Sequence, residues 1–148
     1  DYVRRAREVI DWVIDNAYDE ENGGFIQHFD VEKKIPEQEF QKTDYIALDA
    51  GWDDKIWWVQ AEALYALALS ALTTKNEKHF KYFMKEFHYI QEYFRDKEYG
   101  EWYSVLKKDG SILLDHKGFE LKGPYHVLRC LIMLKKLFED YLQKEESL

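Results

Sequence analysis

From Lys55 to Leu72 the chain reads Lys-Ile-Trp-Trp-Val-Gln-Ala-Glu-Ala-Leu-Tyr-Ala-Leu-Ala-Leu-Ser-Ala-Leu. After Lys55 only Gln60, Glu62 and Ser70 interrupt apolar or small residues. The run from Ile56 to Leu72 predicts a helix apolar on all sides, and such a helix has to be surrounded by protein. A carboxylate inside it must be paired, neutral or open to a cavity, because an isolated charge in an apolar interior is very costly. Glu62 is therefore a candidate site residue. The same run is marginal in length and, with Gln60 and Glu62 inside it, too polar for a membrane-spanning helix.

The segments around it predict helices of a different kind. Val3, Ala6, Val9, Ile10, Val13 and Ala17 recur with helical spacing over Tyr2 to Asn16, and Gly23-Gly24 then gives way to a short strand, Phe25 to Phe29. Apolar periodicity begins at once, so the chain is expected to start inside a fold. Residues 30–44 read as a surface connection of mixed charge. Thr73-Thr74-Lys75-Asn76 ends the apolar helix and opens a third. Its stripe is Phe80, Phe83, Met84, Phe87, Ile90 and Phe94, with Lys78, Lys81, Lys85, Glu86 and Glu92 expected on a wet face.

Glu101 to Leu106 and Ser111 to Leu114 flank Lys107-Lys108-Asp109-Gly110, which is hairpin turn chemistry. A last helix should start near Pro124 and run to Leu142, leaving Gln143 to Leu148 frayed. The spacing Asp19-x-Glu21-x-Gly23-x-Phe25 returns as Asp96-x-Glu98-x-Gly100-x-Trp102, each time where a helix gives way to a strand, and is read as a helix stop with a glycine C-cap. Inner and outer helices joined by short turns make an all-α chain, an αα-hairpin array with short β-hairpin excursions.

At 148 residues the chain is one domain, 1–148, long enough to bury roughly 70% of its unfolded surface. A formal charge of -8 without any basic patch among aromatics excludes nucleic acid as a natural partner. A single cysteine, Cys130, rules out an internal disulfide and suits a reducing compartment, so the expected location is cytoplasmic. Cys130 itself reads as a small core residue. Aromatic residues make up 17% of the chain, which suits surfaces that grip amphipathic ligands such as sugars.

Gly123-Pro124-Tyr125-His126-Val127-Leu128-Arg129 puts His126 in the first turn of the last helix. The positive end of a helix disfavours imidazolium, so the ring is expected to be neutral and able to accept a proton, the state a general base needs. Tyr125 and Arg129 surround it. Trp58 lies four residues before Glu62, a spacing that can set a stacked sugar ring beside a carboxylate, while Trp57 points about 100° away. His28, His79, His88 and His116 have no metal-ligand spacing and are expected to face solvent for the most part.

The segments Lys55 to Leu64, Tyr99-Gly100-Glu101-Trp102-Tyr103 and Lys122 to Arg129, in that order, resemble the N-acylglucosamine 2-epimerase superfamily, which includes cellobiose 2-epimerases and mannose isomerases. The resemblance implies an (α/α)6 toroid with a sugar bound at its centre, and chemistry by two histidines without metal or organic cofactor. One histidine removes the proton alpha to the aldehyde of the opened sugar, and the other returns it through an enediolate-like intermediate. His126 matches one of the two. Trp57, Trp58, Gln60 and Glu62 match the inner wall that contacts sugar, and Arg129 and Tyr125 flank the base.

Two departures stand out. Leu128 occupies a position where many members carry proline, and the H-x-x-E motif of the other histidine is absent from this sequence. The chain is therefore expected to be the C-terminal part of a barrel, completed by a missing part or by self-association. Trp57, Leu64, Leu67 and Leu72 should then lose neighbours and be exposed. A module that binds carbohydrate or assembles without catalysis is the alternative.

Overall fold

The computed structural model describes residues 1–28 and 53–147. The connection expected over 30–44, and Phe29 at the end of the expected strand, lie outside the described residues. The first helix, α1, is Tyr2–Ala17, and Asp1 caps it by accepting the Val3 N–H at 3.2 Å. Tyr18 stops it in an extended conformation.

Asp19 then shapes the turn, its Oδ1 accepting the N–H groups of Glu21 and Asn22 at 3.0 Å each. Gly23 and Gly24 both take positive φ, and a Cβ at Gly24 would come within 2.4 Å of the Tyr89 ring. The repeated turn has the same construction: Asp96 Oδ1 accepts from Glu98 at 2.8 Å and Tyr99 at 3.1 Å, with Gly100 at φ 74°. In both places the helix ends in an extended residue, Tyr18 or Arg95, so the glycine serves the aspartate turn and is not a C-cap. The expected strand at Phe25 is a single antiparallel bridge to Tyr18.

The hairpin expected around Lys107 to Gly110 is present as β2, Val105–Leu106, and β3, Ile112–Leu114. A third strand, β1 (Lys55–Ile56), pairs antiparallel with β2, so Ile56 belongs to a sheet and not to the helix after it. That helix, α2, is Trp57–Thr74. It packs against α3, Glu77–Tyr89, and α4, Tyr125–Glu146, and forms the centre of the core. The helix α4 continues to Glu146, through most of the tail expected to fray.

Burial corrects the sequence at three points. Leu64 and Leu67 of α2, and Trp57 at its start, are covered, and Leu72 is half-buried, so these are not an exposed flank. Exposed apolar residues include Val9 and Trp12 on α1, Leu69 on α2 and Leu128, Leu131 and Ile132 on α4.

The buried face of α3 is His79, Phe83, Glu86 and Tyr89, while Phe80 and Phe87 are exposed. The face is rotated by about one residue from the expected stripe. A π turn at Ile90–Phe94 then resets the register and buries Ile90 and Phe94. Finally, His79 faces no solvent. Its Nδ1 lies 2.7 Å from Ser70 Oγ and its Nε2 3.3 Å from Asp11 Oδ1, tying α3 to α2 and α1. His88 and His116 are exposed, as expected, and His28 is half-buried.

Candidate functional site

One face of α2 meets the first turns of α4, and there the lone carboxylate of the apolar helix finds its partners. Glu62 Oε1 lies 2.7 Å from His126 Nδ1, and both Glu62 oxygens accept from Arg129 Nη2. Glu62, His126 and Arg129 are each about a third exposed, so the cluster is covered on one side and open on the other.

Partial burial acts to raise the Glu62 pKa, but hydrogen bonds from Arg129 and His126 outweigh it and hold the group below its ordinary value. Glu62 is therefore an anion that can only accept. The bond to His126 then requires hydrogen on Nδ1, and the neutral ring carries its lone pair on Nε2. Helix α4 sets this arrangement because positions 126 and 129 are three apart, side by side on one helix face.

Aromatic rings frame the histidine. Trp58 lies 5.9 Å from the His126 ring at 40°, and Tyr125 lies edge-on at 5.0 Å. Tyr125 also lies beneath the Arg129 guanidinium at 5.2 Å. Arg129 Nη1 reaches Met133 Sδ at 3.7 Å, and its raised pKa follows from the hydrogen bond to Glu62. An apolar groove of about 340 Å³ between α1 and α2, lined by Val9, Val13, Ile26, Val59 and Ala63, ends at Trp58 and Glu62.

Two residues of the expected sugar wall are used elsewhere. Gln60 is fully buried: its Oε1 accepts the Phe25 N–H at 2.8 Å, and its Nε2 donates to Phe25 O at 2.7 Å and Ile56 O at 3.1 Å. It takes up the N–H and C=O of Phe25 that the bridge to Tyr18 leaves unused. Trp57 is buried with its ring 5.6 Å from Phe119. Neither has surface to offer a ligand in this structure. Cys130 is buried, which pushes its thiol up to about 12, so no thiolate nucleophile forms there. Among the described residues no three His, Cys, Asp or Glu side chains come together as metal ligands.

Sequence reasoning set Arg129 beside His126 and Glu62 in the wall around them, and missed that Glu62 is bonded directly to both. The signal was present: an apolar helix with one carboxylate needs a cation on a neighbouring helix, and Arg129 adjoins the buried Cys130 at the start of α4.

The family model for N-acylglucosamine 2-epimerase (GlcNAc 2-epimerase) matches residues 1–130. The chain belongs to the N-acylglucosamine 2-epimerase family. It is 31% identical over 129 residues to the N-acylglucosamine 2-epimerase of Bos taurus, covering 87% of this chain and 28% of that protein. Against the D-mannose isomerase of Marinomonas mediterranea identity is 26% over 137 residues, covering 92% of this chain and 31% of the relative. A crystal structure of a D-mannose isomerase superposes with TM-score 0.76 at 22% identity, over 91% of this chain and 31% of that one, a likeness of fold. The chain thus spans less than a third of the length of these family members.

Proposed function

We propose that the chain carries one half of the acid–base machinery of a sugar 2-epimerase or aldose–ketose isomerase, as the C-terminal part of an (α/α)6 toroid working in the cytoplasm. The observation that carries this reading is the His126–Glu62–Arg129 cluster at an open face beside Trp58. Glu62 fixes the imidazole with its lone pair on Nε2, and Arg129 keeps Glu62 ionised and aimed. Trp58 offers a flat face for the sugar ring.

The opened aldose would place its C2 hydrogen at Nε2. His126 takes that proton, the electrons move into a C1–C2 enediolate, and imidazolium forms against the Glu62 carboxylate. Return of a proton to the opposite face of C2 inverts that carbon, whereas return to C1 gives the ketose. The second proton carrier in this reading comes from outside the chain, since the sequence holds no H-x-x-E motif.

The experiment is solvent exchange. This chain and the bovine relative are incubated in deuterated water with mannose, cellobiose or N-acetylmannosamine, and deuterium at C2 is read by NMR. Incorporation that disappears in His126→Ala, and in the matching variant of the relative, is the expected result. Full exchange in both histidine variants would overturn the assignment.

The missing motif also favours a second reading, a module that binds sugar or assembles without turning substrate over. Calorimetric binding of a sugar without exchange would select it. Exposed Leu128, Leu131 and Ile132 on α4 support assembly, either with itself or with the rest of the barrel. Sedimentation should find species heavier than a monomer at high concentration, and a strict monomer counts against assembly.

A further inference from the structure

Where α3 meets the Lys55 strand and the turn after α1 lies a second cluster, made of other residues than His126, Glu62 and Arg129, that the reaction does not use. Glu86 on α3 is fully buried, and neither of its oxygens has a hydrogen-bond partner among the described residues. The nearest cation is already engaged. Lys55, itself fully buried, donates to Asp19 Oδ2 at 3.0 Å and to Lys108 O at 2.6 Å, and its ammonium lies 5.2 Å over the Tyr89 ring. One lysine thus faces two carboxylates and is hydrogen-bonded to one of them.

Among the described residues the remaining neighbours offer Glu86 no second cation. Tyr18 at the end of α1 and Tyr89 on α3 face it, and both phenols are raised, first by burial and then by the Glu86 charge. Asp19 adds a negative charge from the turn after α1, and Lys108 acts on Lys55 from the β2–β3 turn. Helix α2 carries Glu62 and Tyr65 as its titratable groups, and Glu62 is taken up with His126 and Arg129. Helix α4 meets α3 through Phe138 on Phe83, and its Lys135, Lys136, Glu139 and Asp140 pair along its exposed side. Tyr82 and Lys85 of α3 are bound to Glu20 outside.

We propose that Glu86 is a proton-operated latch: as the neutral acid it lets α3 close over the Lys55 strand and the Asp19–Gly24 turn, and once ionised it draws Lys55 from Asp19 and opens that junction. The proton goes to solvent and no bond to carbon changes. The junction is tight, because the Tyr89 ring sits against the backbone of Gly23 and Gly24, so a small shift of α3 is transmitted directly to the turn. Burial, partly offset by the Lys55 charge, pushes the Glu86 carboxyl up to about 8, which puts the change at mildly alkaline pH. The inference does not rest on the sugar reading.

Three measurements test it. The Glu86 side-chain carboxyl is followed by 13C NMR in the intact chain, and titration well above the usual carboxylate range is expected. Titration below about pH 5 overturns the proposal without any variant. Hydrogen exchange at the Lys55, Ile56 and Trp57 amides, corrected for intrinsic rate, should lose at least about tenfold protection between pH 6.5 and 9. In Glu86→Gln, which cannot ionise, protection should stay level over that range. Equal loss in both proteins would overturn the latch. If Glu86→Gln does not fold, Glu86→Leu replaces it with the same readout.

Discussion

The molecule carries two carboxylates, on adjacent helices, whose surroundings are the reverse of what their helices suggest. Glu62 stands on the most apolar helix of the chain, yet it is partly open and bonded to Arg129 and His126. Glu86 stands on an amphipathic helix flanked by lysines, yet it is sealed and without hydrogen-bond partners among the described residues. The periodicity of a helix reports the average environment of a face, whereas the state of one ionisable group depends on whether a distant segment brings it a counter-charge. Arg129 does so for Glu62. Lys55 does so only in part for Glu86, because its hydrogen bonds go to Asp19 and to Lys108 O.

The largest effect that could break this comparison is on turnover. On the proposed epimerase reading, Glu62→Gln should lower C2 exchange by about 100-fold, near the lower end of what a positioned acid–base pair contributes, because the amide no longer requires hydrogen on His126 Nδ1. Folding stability should change by less than about 1 kcal/mol, as for a solvent-exposed pair. Glu86→Gln should do the opposite and leave exchange at pH 7 within about twofold. Side-by-side exchange rates and urea unfolding curves decide it, and comparable loss of exchange in both variants would remove the functional distinction.

A second prediction compares burial with partners and burial without them. Gln60 is as buried as Glu86 but has all three of its bonds made. Gln60→Ala strands the N–H and C=O of Phe25 and should cost about 2–4 kcal/mol, from two backbone groups at about 1–2 each. A urea midpoint that does not move would mean that water replaces the amide and that the Phe25 segment is not held by α2.

These contrasts also mark where sequence is readable. The apolar run over Ile56 to Leu72, its one carboxylate, the helix opening at Pro124 and the hairpin at Lys107 to Gly110 were all legible, because each depends on residues within a few positions of one another. What was not legible depends on distant contacts. The two-residue strand at Lys55 exists only because β2 lies beside it. Gln60 reads as a wall residue until Phe25 is seen to occupy its amide. The buried face of α3 was misread because His79 and Glu86 count as polar in any periodicity. The candidate site divided in the same way: His126, Glu62, Arg129 and Trp58 were visible around one pocket, and the direct bonds of Glu62 to His126 and Arg129 were not.

The smallest expected effect is that of Glu62 on the pH dependence of stability, where the two carboxylates should pull in opposite directions. The Glu62 pKa lies below its ordinary value of 4.5 in the fold, so its contribution is present above about pH 4.5 and disappears as pH falls through the lower, folded value. With Glu62, His126 and Arg129 each about a third exposed, solvent screening holds this to about 0.5 kcal/mol or less. Glu86 is raised, so the unfolded chain releases its proton near 4.5 while the folded chain holds it to about 8, and stability falls as pH rises across that window. Unfolding midpoints from pH 3 to 9 should therefore lose a shallow acid arm in Glu62→Gln and a steeper decline between about pH 4.5 and 8 in Glu86→Gln. If Glu62→Gln removed the decline between about pH 4.5 and 8 instead, the roles given to the two carboxylates would have to be exchanged.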